Sequence, residues 1–112
     1  MVNQTYLPSR GDIVWLDFSP QSGHEQAGRR PAVCISPKAY NEKVGLAIFC
    51  PVTSTQKGYP FEVALPDELP IKGVVLADHV KNLDWRARNA TYIFSLDENV
   101  FAEIISKIHT LI

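Results

Sequence analysis

Short apolar runs separated by turn residues dominate the first ninety positions. Ile13-Val-Trp-Leu-Asp-Phe18 lies between Gly11-Asp12 and Ser19-Pro20. Ala32-Val-Cys-Ile35, Leu46-Ala-Ile-Phe-Cys50, Phe61-Glu-Val-Ala-Leu65 and Val74-Val-Leu-Ala77 repeat that style, and a sixth candidate runs from His79 to Trp85. Each is four to seven residues long, with turn chemistry on either side, as expected for a strongly bent antiparallel sheet or small barrel. The period then changes. Phe101, Ile104, Ile105, Ile108, Leu111 and Ile112 recur at helical spacing and form one apolar stripe. Ser95-Leu-Asp-Glu98 just before it has capping-box spacing, which predicts Ser95 as the first cap. The stripe reads as core packing against the sheet, with room for part of it in a subunit interface.

Two polar connections interrupt this pattern. Ser19–Arg30 contains Gly23-His-Glu-Gln-Ala-Gly-Arg-Arg30, and Thr53–Pro60 reads Thr-Ser-Thr-Gln-Lys-Gly-Tyr-Pro. Long connections in a small domain tend to carry function, and each of these abuts an expected strand.

Composition narrows the classes. With 112 residues, 46% apolar and 21% charged, the chain has ordinary globular make-up and the length of one domain, 1–112. Eleven Lys and Arg against twelve Asp and Glu leave a net charge of −1, which excludes a protein that binds nucleic acid by bulk charge. The distribution is uneven: nine of the eleven basic residues lie between Arg29 and Arg88, against six acids. Cys34 and Cys50 each sit in an apolar run and read as reduced core residues. No stretch approaches the roughly 20 apolar residues of a membrane span, and no signal peptide is visible at the N-terminus, so a cytoplasmic protein without a membrane partner is expected.

Several chemistries fail on spacing. His24, His79 and His109 are scattered, and no Cys or His pair has zinc-site spacing, so no metal site and no cofactor are expected. Gly23 to Gly28 has the outline of a phosphate loop. Arg29-Arg30 replaces the Lys-Ser/Thr pair, and Pro31 follows where a helix would begin, so a nucleoside-triphosphate site is rejected. What survives is Arg29-Arg30 at the end of the first loop and Thr53-Ser-Thr-x-Lys57 in the second. Arginine presents a planar fork of donors to phosphate, lysine a point charge, and hydroxyls further donors. Lys81, Arg86 and Arg88 around Trp85 form a third basic–aromatic cluster, a mixture that holds phosphates while a ring stacks on an unpaired base.

The chain resembles the MazF/PemK family of toxin endoribonucleases from toxin–antitoxin pairs. The residues that carry the likeness are Gly11-Asp-Ile-Val-Trp-Leu-Asp-Phe18, Gly23-His-Glu-Gln-Ala-Gly-Arg-Arg-Pro-Ala-Val33, Ser36-Pro37 and Tyr40-Asn41. Pro51-Val-Thr53, Lys57-Gly-Tyr-Pro-Phe-Glu-Val63, Leu76-Ala-Asp-His-Val-Lys81 and Trp85-Arg-Ala-Arg88 complete it. The resemblance implies a homodimer of small SH3-like antiparallel β-barrels, each with a C-terminal helix. It implies metal-independent, sequence-specific cleavage of single-stranded RNA, which arrests growth by blocking translation. It also implies a cognate MazE-like antitoxin whose acidic, disordered tail competes for the RNA groove.

Carried over position by position, the resemblance makes Arg30 and Thr53 the catalytic residues. It places Glu25, Asn41, Lys57, His79 and Lys81 along the RNA groove. Arg29, Ser54, Trp85 and Arg86 join them as RNA-binding candidates from their residue types. Close relatives carry Gln where this chain has His79, so no target sequence is transferred. An RNA 2′-OH can attack its own phosphate, which leaves the enzyme to align the attack and stabilise charge. Arginine, with a pKa above about 12, is a poor general base; Glu25 and His24 are the candidates for that part. The competing reading is a CcdB-like toxin that binds DNA gyrase without catalysis. That function relies on a Trp-Gly-Ile end, and this chain ends His109-Thr-Leu-Ile112.

Overall fold

The structure is a computed structural model and describes residues 6–18 and 28–112. Strands β1 (Asp12–Phe18) and β2 (Gly28–Cys34) are followed by helix α1 (Lys38–Val44) and strand β3 (Ala47–Thr53). Three short strands follow, β4 (Glu62–Ala64), β5 (Val74–Leu76) and β6 (Lys81–Leu83), and then β7 (Thr91–Ser95) and helix α2 (Glu98–His109). All the strand pairings are antiparallel, along the path β4-β5-β3-β2-β1-β7. One edge of β3 pairs with β2; its other edge is shared, with β6 beside Ala47–Phe49 and β5 beside Val52-Thr53. The path ends at β4 and β7 and does not close, so the architecture is an open, mainly β, antiparallel sheet with a C-terminal helix.

Strand alternation divides the core between the two faces of this sheet. Ile13, Val33, Cys50, Val52, Val63 and Val75 pack on one face, where Ile104 and Ile108 of α2 complete the cluster. Val14, Leu16, Phe18, Ala32, Cys34, Ala47 and Phe49 pack on the other with Trp85. Cys34 and Cys50 are both buried and free. The Val33↔Cys50 register sends their side chains to opposite faces, which rules out a bond between them without refolding the pair. Burial pushes the Cys34 thiol up to about 11 and that of Cys50 to about 12, so both stay protonated at neutral pH.

Some expectations change. Arg29 and Arg30 lie within β2 instead of ending a loop, because β1 is long enough to pair with them through Asp17↔Arg29 and Leu16↔Arg30. Ser95 is not the helix cap: it ends β7, and its hydroxyl donates to the Asp12 carboxylate at 2.9 Å. Asp97 takes the cap, its carboxylate accepting the Asn99 amide at 2.9 Å. Of the apolar stripe, Ile104 and Ile108 are buried and Phe101 and Ile105 half-buried, whereas Leu111 and Ile112 lie past the end of α2 and are exposed.

Two elements went unread in the sequence. Helix α1 spans two turns, too few for a period; its signals are Pro37 before it and Gly45 after it, where φ of +81° accommodates the left-handed C-terminal turn. Strand β7 lies in Thr-Tyr-Ile-Phe-Ser, a β-branched and aromatic run directly before the helix.

Candidate functional site

Strand alternation also builds the site. Continuing the Ala32↔Pro51 register by one step brings Arg30 opposite Thr53 on the Phe49 face of the sheet. Leu76 and Glu62, directly paired across β5 and β4, extend that face. The β3–β4 connection adds Thr55, Lys57 and Tyr59, and His79 enters from the turn after β5. Together these eight side chains line a pocket of about 420 Å³.

Within the pocket each group is held by identifiable neighbours. The Thr53 side chain is almost fully buried; its hydroxyl oxygen accepts the Thr55 amide at 3.2 Å and keeps its own proton to donate. Gly73 packs so closely on Thr53 that a Cβ there would lie 2.2 Å from the Thr53 carbonyl oxygen. The Glu62 carboxylate accepts the backbone amides of Lys57 and Gly58 at 3.0 and 2.9 Å. Tyr59 donates to both carboxylate oxygens of Asp78 at 3.4 Å, and His79 Nε2 stands 3.9 Å from the same carboxylate. Desolvation raises the Tyr59 phenol above its ordinary value, and the Asp78 charge adds to this, so the hydroxyl keeps its proton at neutral pH.

Four expected site residues therefore converge: Arg30, Thr53, Lys57 and His79. Tyr59, Glu62 and Gly73 were not singled out from the sequence, and Thr55 entered only within the Thr53–Lys57 run. Glu62 and Tyr59 fall inside the Lys57–Val63 motif, which was their available signal; nothing local marks Gly73, whose partner lies across the sheet.

The remaining candidates lie elsewhere. Arg29, one residue from Arg30, projects to the opposite face. It donates to Asp17 Oδ1 (2.9 Å), the Asn89 carbonyl (3.1 Å) and Thr91 Oγ1 (2.9 Å). With Ser54 it borders a second groove beside Trp15 and Lys72, whose lining Arg30 shares. Lys81 pairs with Phe49, four residues along β3 from Thr53 and outside the pocket lining.

Asn41 and Trp85 require a correction as groove-lining residues. Asn41 is fully buried: its carboxamide donates to the Pro8 carbonyl at 2.8 Å and accepts the Ser36 hydroxyl at 2.5 Å. Trp85, 3% exposed, donates its indole N–H to the Asn41 carbonyl at 3.1 Å. A ring and an amide so enclosed present no face to a nucleotide; they join α1 to the segment after β6. Arg86 is exposed and stacks over that ring, 5.0 Å from its centroid. Glu25 and His24 lie outside the described residues.

This arrangement offers a guanidinium, an ammonium and three hydroxyls around one polar pocket, with an imidazole and a carboxylate beside them. Such a set suits a phosphodiester whose charge grows during reaction. Residues 9–112 match the model of the PemK-like, MazF-like toxins of type II toxin–antitoxin systems. The chain belongs to this family. It is 48% identical over 107 residues to the endoribonuclease toxin MazF of Escherichia coli K12, covering 96% of each chain. It is 32% identical to the endoribonuclease PemK of Escherichia coli, across 92% of this chain and 80% of the relative. The structure superimposes on MazF of Deinococcus radiodurans with a TM-score of 0.91 at 54% identity, covering 96% and 97% of the two chains. A MazE–MazF structure from the same organism matches with a TM-score of 0.87, also at 54% identity and over 96% of each chain. In family terms, the pocket gathers the Arg of the Gly-x-Arg-Pro-Ala motif and the Thr of Pro-Val-Thr.

Proposed function

We propose that this chain is a sequence-specific endoribonuclease of single-stranded RNA and the toxin of a toxin–antitoxin pair. The observation that carries the reading is the meeting of Arg30 and Thr53, brought from separate strands into one pocket with Lys57 and His79. The substrate supplies the nucleophile: a 2′-OH loses its proton and attacks the adjacent phosphorus, and the bond to the 5′ oxygen breaks. The products are a 2′,3′-cyclic phosphate and, once the departing oxygen is protonated, a 5′-OH end. Arg30 donates hydrogen bonds and charge to the phosphoryl oxygens, and the Thr53 hydroxyl adds a fixed donor. Lys57 and His79 bind flanking phosphate and base. Arg29, Ser54, Lys81 and Arg86 contribute at most along the path of a longer RNA, and Glu25 is a further RNA contact.

The fold reads as a small SH3-like barrel filling the single domain 1–112. A second copy completes the RNA groove, and a MazE-like antitoxin inhibits by laying an acidic, disordered tail along it. The named endoribonuclease relatives and the Arg30–Thr53 pair do not favour gyrase binding. Among the described residues no helix is long and apolar enough to cross a membrane, and no group of three or more His, Cys, Asp or Glu is arranged around a metal position.

Incubating the purified protein with a long single-stranded RNA in excess EDTA, and mapping the ends, tests this reading. Discrete cuts with 5′-OH termini are expected; RNA left intact at high enzyme concentration overturns it.

A further inference from the structure

Lys57 sits in a connection of irregular backbone between β3 and β4, yet its side chain lines the pocket. A loop of that kind must be ordered before its lysine meets a phosphate in a fixed place, and ordering it during binding weakens affinity. Glu62 supplies the order. It stands at the first position of β4, in register with Leu76, so the sheet fixes its Cα. Its carboxylate then reaches back to the amides of Lys57 (3.0 Å) and Gly58 (2.9 Å), one oxygen to each, while its own amide donates to the Tyr59 carbonyl at 3.1 Å. Three backbone groups of the loop are thereby tied to one strand residue. A carboxylate beside an intended phosphate is otherwise unfavourable, and two amide hydrogen bonds offset part of its charge.

We infer that Glu62 is a positioning residue that holds the Lys57 backbone so that its ammonium meets an RNA phosphate. This rests on the endoribonuclease reading of the pocket. The residue acts on substrate binding through Lys57 and leaves the chemical step alone.

A double-mutant cycle decides the matter. Wild type, Glu62→Ala, Lys57→Ala and the double variant are compared for kcat and KM on a short RNA with a single cut site, at several salt concentrations. Glu62→Ala and Lys57→Ala are each expected to raise KM about tenfold, to change kcat less than about threefold, and to flatten the salt dependence by roughly 0.7 in log–log slope. The double variant is expected to match Lys57→Ala alone. Equal fold-effects of Glu62→Ala with and without Lys57 overturn the inference, as does a fall in kcat at unchanged KM. If the alanine variant fails to fold, Glu62→Gln takes its place in the cycle, with a smaller rise in KM and the same loss of effect in the Lys57→Ala background. Wild-type protein that leaves RNA intact removes the endoribonuclease reading as a whole; wild type that cuts, with variants that act independently, removes this inference alone.

Discussion

Arg29 and Arg30 are consecutive on β2 and chemically identical, yet they serve different parts of the molecule. Arg30 faces the side of the sheet that carries Thr53, Leu76 and Glu62, and it lines the pocket. Arg29 faces the other side, where Asp17, the Asn89 carbonyl and Thr91 take up its donors. The second set joins β1 and β2 to the turn before β7: Asn89 donates to Asp17 Oδ2 at 2.8 Å, and Arg88 donates to the Asp17 carbonyl at 3.2 Å. A period of two along the strand separates the charge proposed to meet phosphate from one that ties the sheet together. Arg29, committed to a carboxylate, a carbonyl and a hydroxyl, has few donors left for RNA.

The sharpest break in this contrast is Arg30→Ala. Cleavage is expected to fall by about 10³-fold or more, with a circular-dichroism spectrum that still shows a folded protein; near-normal cleavage removes Arg30 from the mechanism. Gly73→Ala strikes the same region from outside the pocket. A Cβ 2.2 Å from the Thr53 carbonyl oxygen, at a φ of +127°, forces the end of β3 to move. The expected result is a loss of about 2–3 kcal/mol in denaturant unfolding together with reduced kcat; a variant as stable and active as wild type shows that Thr53 need not be held there.

Arg29→Ala is expected to act in the opposite sense to Arg30→Ala. It should leave cleavage within about tenfold of wild type and lower the melting midpoint by roughly 2–4 °C. A cleavage defect equal to that of Arg30→Ala dissolves the distinction. The smallest effect is on pH dependence. The hydrogen bond from Asn89, followed by that from Arg29, holds the Asp17 carboxyl below its ordinary value. A lowered folded-state pKa means that this contribution is present above the unfolded value near 4 and fades as pH falls through the folded value. Acid titration of thermal stability should therefore show a slightly shallower decline for Asp17→Asn than for wild type, and identical slopes argue that the Asp17 interactions are unimportant in solution.

Strand existence was legible because alternating, β-branched runs between Gly and Pro leave few other solutions, and all six expected strands overlap observed ones at their centres. The sixth, His79 to Trp85, shrinks to Lys81–Leu83, because Trp85 turns into the core to meet Asn41. Ser95 was misread because its spacing to Glu98 fits a capping box, whereas the Asp12 carboxylate that claims its hydroxyl lies 83 residues away in sequence. Asn41 was misplaced for a related reason: a polar residue in a polar segment gives no sign that Pro8, Ser36 and Trp85 will enclose it.

The strand-rich make-up, the C-terminal helix, the family motifs and the residue types suited to a phosphodiester are all readable from the order of amino acids. Those properties are local, written in periodicity, turn residues and short ordered motifs. It took the folded chain to show which of two adjacent arginines shares a pocket with Thr53, that Glu62 anchors the Lys57 loop, and that Asn41 and Trp85 support the fold from inside. Each of these depends on strand register and on partners tens of residues away, and the physics of pairing and burial acts on the folded chain as a whole.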